Sequence, residues 1–150
     1  MRIGLVYALR MSRRSLLPLI AVAMLVCCST ALAKPHVIIR WSKTGGFAGA
    51  SEVLRIRSDN VALAGPRGEN PLPAQLGAGQ VARLRKLLDA ANLAGSKRHY
   101  PARGVADTSQ YSVTYKGHTV DGDQTTLPKR ILRATSALDR LYDDIFASSE

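Results

Sequence analysis

The stretch His36-Val37-Ile38-Ile39-Arg40-Trp41-Ser42, continuing through Lys43-Thr44-Gly45-Gly46-Phe47-Ala48-Gly49 to Glu52-Val53-Leu54-Arg55-Ile56-Arg57, decides the fold. In its first part Val37, Ile39 and Trp41 alternate with His36, Ile38 and Arg40, and the last part alternates in the same way. Successive side chains of a strand point to opposite faces, so both parts read as half-buried strands. The glycines between them cannot form strand interior. The segment is therefore a β-hairpin with a projecting, glycine-rich tip.

Working outward, residues Ser58 to Gly79 hold Pro66, Pro71 and Pro73 among many turn-formers and read as a loop, with one short strand suggested at Val61 to Leu63. From Gln80 to Leu93, Val81, Leu84, Leu87, Leu88 and Ala91 keep helical spacing, and Asn92 to Gly95 supplies the stop. Ser96 to Ser109 is polar and basic and reads as a long exposed connection, a length that is uncommon inside a compact domain and often functional. Gln110 to Tyr115 alternates again, Lys116-Gly117 offers a tight turn, and His118 to Gly122 completes a second hairpin. Leu127-Pro128 then opens a helix striped by Ile131, Leu132, Leu138, Leu141 and Ile145. The expected order is β-β-α-β-β-α. It predicts an α+β domain, an antiparallel four-stranded sheet made of two hairpins with two helices packed on one face.

Upstream lies a different kind of sequence. Arg2, Arg10, Arg13 and Arg14 precede an apolar run from Leu16 to Cys28, followed by Ala31-Leu32-Ala33, the three-part layout of a secretory signal spanning residues 1–33. The apolar run is shorter than the roughly 20 residues that a permanent membrane span needs, so no stable membrane insertion is expected. Ser12-Arg13-Arg14-Ser15-Leu16-Leu17 also carries the arginine pair of a twin-arginine signal, with Met11 as an alternative start, so the export route stays open. Lipidation at Cys27 or Cys28 is disfavoured because Val26 and Cys27 stand where a small residue is wanted. Cleavage after Ala33 would release a periplasmic or secreted domain, residues 34–150, without cysteine and so without disulfides.

The signal holds four of the 21 basic residues and none of the 11 acids, which leaves 17 against 11 and lowers the net charge from +10 to +6. That excess is spread out, with no basic stripe interleaved with aromatics, so nucleic acid is not the expected partner. The residues of catalysis are equally sparse. Beyond the signal there is no cysteine, no G-x-S-x-G elbow and no H-E-x-x-H, and His36, His99 and His118 are far apart in sequence, each reading as an exposed or strand-edge histidine. Asp121-Gly122-Asp123 begins like a calcium loop but lacks the later ligands and the closing glutamate, so it reads as a turn after a strand. Gly45-Gly46-Phe47-Ala48-Gly49 is not followed by the lysine and hydroxyl of a phosphate-binding loop. No enzyme activity, metal or cofactor is expected.

That tip remains the segment to single out. Glycines let the backbone approach another surface, and Phe47 offers one large apolar anchor for a partner's cleft. The competing reading is a wide turn whose Phe47 folds back to cap the core, and composition favours it.

Trp41-Ser42-Lys43-Thr44-Gly45-Gly46-Phe47-Ala48-Gly49 resembles the Ser-Gly-Gly-Phe-Ala-Gly segment of emfourin-type proteins, inhibitors of protealysin and related thermolysin-like metalloproteases. The helix at Val81 to Leu93, Gly104-Val105-Ala106-Asp107 leading into Tyr111 to Tyr115, and Leu127-Pro128 before the last helix follow in the same order. The export signal and the proline-rich Ala64 to Leu76 depart from that pattern. The resemblance implies a protein inhibitor without a cofactor that binds a zinc metalloprotease noncovalently and blocks its cleft; a monomer is the default expectation. Gly45, Gly46, Phe47, Ala48, Gly49 and Asp107 would form its contact surface. Phe47 would enter an apolar pocket, and Asp107 is the carboxylate nearest to a metal-directed role, although a turn or helix cap is the commoner use of such a residue. Two other readings compete with it: an envelope binding module for another protein or a glycan, with Tyr111 and Tyr115 as its aromatics, and a small hydrolase. The alternation around both tyrosines favours core packing for them.

Overall fold

A computed structural model describes residues 34–46, 49–102 and 108–149 of the chain, so the signal segment, Phe47, Ala48 and Asp107 lie outside the described residues. Strands β1 (Val37–Gly45) and β2 (Ala50–Arg57) form the first hairpin, paired from Gly45 and Ala50 back to Val37 and Arg57. A one-residue register shift between Val37 and Ile39 bulges β1 near its start. The second hairpin is made of β6 (Ser109–Tyr115) and β7 (His118–Asp123), turned by Lys116 and Gly117 at φ of 50° and 79°. Two successive positive φ values match the twist of the flanking strands.

The sheet is larger than the expected four strands, and it is mixed. It has seven strands in the order β4-β3-β2-β1-β6-β7-β5, antiparallel except where β5 (His99–Tyr100) runs parallel to β7. The proline-rich segment forms β3 (Val61–Pro66) and β4 (Leu72–Gln75), a further hairpin on the outer side of β2. Prolines obscured it, yet they sit where a sheet admits them. Pro66 ends β3, and Pro73 lies on the edge strand β4, where a missing N–H need not break an inner ladder. The two-residue β5 falls within the expected Ser96 to Ser109 connection and is too short to carry any periodic signal.

Helix α1 (Ala78–Ala91) begins after Gly77, whose N–H donates to the Gln80 side chain at 2.9 Å, and ends at Asn92 in the left-handed conformation. Helix α2 (Lys129–Ala147) follows Pro128. Register places Ile39, Trp41, Leu54, Ile56, Ala62, Ala64, Val113, Tyr115 and Val120 on one sheet face. All of them are buried in one core with Val81, Leu84 and Leu88 of α1 and Ile131, Leu138, Leu141 and Ile145 of α2. Leu87, assigned to the apolar stripe by spacing, is instead exposed. The opposite face carries Arg40 and Arg55 exposed and Ser42, Val53, Ser112 and Thr114 half-buried. The mixed α+β architecture thus stands, with both helices contributing to the core on one side. No helix of the described residues is long and apolar enough to cross a membrane.

Candidate functional site

The β1–β2 tip is built by torsions that favour glycine. Gly45, Gly46 and Gly49 have φ of 90°, 75° and 60°, and the Gly49 N–H donates to the Gly46 carbonyl at 3.1 Å to close the turn. Positive φ is costly for residues with a Cβ. At Gly45 there is a second reason, because a Cβ there would lie 3.1 Å from the Thr108 carbonyl oxygen. Gly45 pairs with Ser109 across the β1–β6 ladder, so the end of the long connection runs directly beside the tip. The other end of that connection arrives at the same end of the sheet, since Tyr100 pairs with Gly122, Gly122 with Tyr111, and Tyr111 with Lys43. The structure therefore brings the flanks of two singled-out segments together, Gly45 beside Thr108 and Gly46 beside Ser109.

Beneath the tip lies a polar cluster that sequence reasoning missed. Lys43 Nζ donates to Asp139 Oδ1 of α2 at 3.1 Å and is ion-paired with Glu52 Oε2 of β2 at 3.4 Å. Burial would lower the Lys43 pKa, but the Asp139 hydrogen bond and the two nearby carboxylates outweigh it and hold the ammonium above its ordinary value. Tyr111, alongside, is pushed up chiefly by burial and then by the Asp139 charge. An aromatic row continues inward, with Trp41 to Tyr111 at 6.5 Å, Trp41 to Tyr142 at 5.8 Å and Tyr142 to Phe146 at 4.8 Å between ring centres. Tyr115 is buried and Tyr111 half-buried on this helix-covered side, so both pack against the core rather than stand on the open face. The network escaped the sequence because Lys43 and Asp139 are 96 positions apart and each alone looks like a solvated charge.

Asp123 anchors the same end of the sheet through a turn. It is buried, and its Oδ1 accepts from the Thr125 N–H at 2.8 Å, the Thr125 hydroxyl at 2.7 Å and the Thr126 N–H at 2.8 Å. The Thr125 hydrogen bond, above all, holds its carboxyl below the ordinary carboxylate range. Its local partners are those of a turn after a strand. The aspartate two and three positions before the threonines was the available signal. Among the described residues no group of three or more His, Cys, Asp and Glu is placed to hold a metal ion. His36, His99 and His118 are all exposed, on strands or just before one.

At this end of the sheet Gly45 and Thr108 lie side by side, next to an ion-pair cluster and an aspartate turn. Compared with known proteins, the chain matches no family model, no curated sequence and no solved structure.

Proposed function

We propose that this chain is an exported, noncovalent inhibitor of thermolysin-like zinc metalloproteases that uses the β1–β2 tip and the Lys97 to Asp107 connection, which leads into Thr108, as one contact surface. The observation that carries the reading is the juxtaposition at Gly45, where the Thr108 carbonyl comes within 3.1 Å of the position a Cβ would take. Two connections distant in sequence then meet a cleft as a unit, and the emfourin-like character of Thr44 to Gly49 supplies the partner class. In this reading Phe47 is the apolar anchor and Asp107 a polar contact. The chain contributes surface and no chemistry, so the zinc, the water and the catalytic groups all belong to the protease.

The reading is tested by titrating a thermolysin-like protease with the purified protein while following cleavage of a peptide substrate. Activity should fall to zero near equimolar ratio. Phe47→Ala should weaken inhibition by about 2 kcal/mol, roughly thirtyfold in Kd. Full protease activity at large excess, across several such enzymes, would overturn the inhibitor reading and leave a binding module for another envelope protein. A glycan-binding variant of that module has less support, because the two tyrosines that would have stacked on sugars are turned to the core side.

A further inference from the structure

The opposite end of β1, eight residue steps and roughly 26 Å from the tip at strand rise, holds a half-open cavity. Its volume is about 620 Å³, within the range that encloses small molecules. Four basic groups line it from separate elements: His36 before β1, Arg40 on β1, Arg85 on α1 and Lys116 in the β6–β7 turn. No carboxylate is among its lining residues. Lys116 is bonded to Asp89 outside the cavity wall at 2.6 Å, an exposed contact of the kind that contributes little. Arg40 faces Arg55 directly across the β1–β2 ladder. Like charges so placed repel, and a bound anion would offset that repulsion. The remaining wall is apolar in part, with Val37 exposed at 40 % and the Tyr115 ring beneath Lys116 Nζ at 5.0 Å.

We propose that this cavity binds an amphiphilic oxyanion, with its phosphate or carboxylate held by Arg40 and Arg85 and its apolar body against Val37 and Tyr115. The planar guanidinium group donates two parallel hydrogen bonds to such oxyanions, which a lone ammonium does not. Arg40 reaches the cavity from the open sheet face and Arg85 from α1, so the two approach it from different sides at the end of β1. The apolar wall adds preference for a ligand with a hydrocarbon or aromatic portion over a bare ion. The site lies apart from the proposed protease contact, and occupancy of one does not require the other.

The test uses the purified protein at low ionic strength, 1-naphthyl phosphate as the probe, and both calorimetry and amide chemical-shift mapping. Saturable binding should shift the amides of Val37, Thr114 and Gly117, and should be at least tenfold tighter than for inorganic phosphate or for neutral 1-naphthol. Arg40→Gln and Arg85→Gln should each weaken it tenfold or more, while Arg133→Gln on the exposed side of α2 should change it less than twofold. Inhibition of a protease by Arg40→Gln should match the parent, which separates this site from the tip. Phosphatidylglycerol vesicles identify the source of the group: sedimentation lost in Arg40→Gln supports a lipid headgroup, and binding of the soluble probe without vesicle binding supports a free ligand. An absence of saturable probe binding, or equal weakening by Arg133→Gln, would overturn the proposal, the second because net charge alone would explain it.

Discussion

Replacing Gly45 and Gly49 by alanine, one at a time, separates the two reasons for glycine at the tip. Gly49 has φ of 60° and nothing within 4 Å of the position a Cβ would take, so Gly49→Ala meets only the torsional cost of the left-handed region. That cost is about 1 kcal/mol. Gly45, at φ of 90°, meets a comparable or larger torsional cost, and its new Cβ must also sit 3.1 Å from the Thr108 carbonyl oxygen. This neighbour is backbone, paired into the sheet at the next residue, so it cannot rotate aside as a side-chain end would. Crowding of this kind adds about 1 kcal/mol or more. Gly45→Ala is thus expected to destabilise by about 2–3 kcal/mol in all, against about 1 kcal/mol for Gly49→Ala. At about 4 °C per kcal/mol for a domain of this size, the melting temperatures of the two variants should differ by at least 4 °C. Urea denaturation followed by circular dichroism gives the same comparison as free energy. If Gly49→Ala proves equal to or worse than Gly45→Ala, the close approach of the 108 segment to the tip is wrong, and with it the idea of a two-segment contact surface.

Two further outcomes test the surroundings of that surface. At Gly122 a Cβ would lie 2.9 Å from both Leu127 Cδ2 and Tyr100 Cβ, so Gly122→Ala should destabilise by about 1–3 kcal/mol, read as a lower denaturation midpoint with an unchanged slope. Asp123, with its carboxyl held below the ordinary range, contributes stability that is complete above about pH 4 and lost as pH falls through its folded pKa, because the unfolded state there binds the proton more readily. Asp123→Asn keeps an Oδ1 acceptor for the Thr125 and Thr126 N–H groups while removing the ionisation, so the acid limb of the stability curve should flatten; an unchanged acid limb would assign it to other carboxylates.

Much of this fold could be read from local pattern. Ile39 and Trp41, Leu54 and Ile56, and Val113 and Tyr115 alternate cleanly because one sheet face is buried and the other is not, and that contrast is what a two-residue period reports. Both helices announced themselves through Val81, Leu84 and Leu88, and through Ile131, Leu138 and Ile145. The β3–β4 hairpin did not, since Pro66, Pro71 and Pro73 signal turns unless the segment is known to lie at a sheet edge. Nor did the site show itself fully. Glycine spacing marked the tip, but the approach of Thr108 depends on β1 pairing with β6, a choice of partner that no local pattern encodes. The same holds for Lys43, whose partners come from β2 and α2.

Pairing of β1 with β6 also explains why the two ends of the sheet are suited to different partners. Being central and antiparallel, these strands carry the β1–β2 tip and the start of β6 to one end, and the start of β1 and the β6–β7 turn to the other. At the first end glycines clear side chains away from the backbone, and the Lys43 cation is answered by Glu52 and Asp139. At the second, Arg40 and Arg85 join His36 and Lys116 around a cavity whose wall includes no acid. Unbalanced positive charge destabilises the folded state and is best explained where something else supplies the negative charge. A protein whose one end has its lysine answered by two carboxylates beneath a glycine-rich turn, and whose other end gathers Arg40, Arg85 and Lys116 around a cavity with only the exposed Asp89 nearby, has the distribution expected if the first meets a preformed protein cleft and the second meets an anion. The two expectations fail separately: Gly45→Ala acts on the first and leaves the cavity intact, and Arg40→Gln acts on the second and leaves the tip intact.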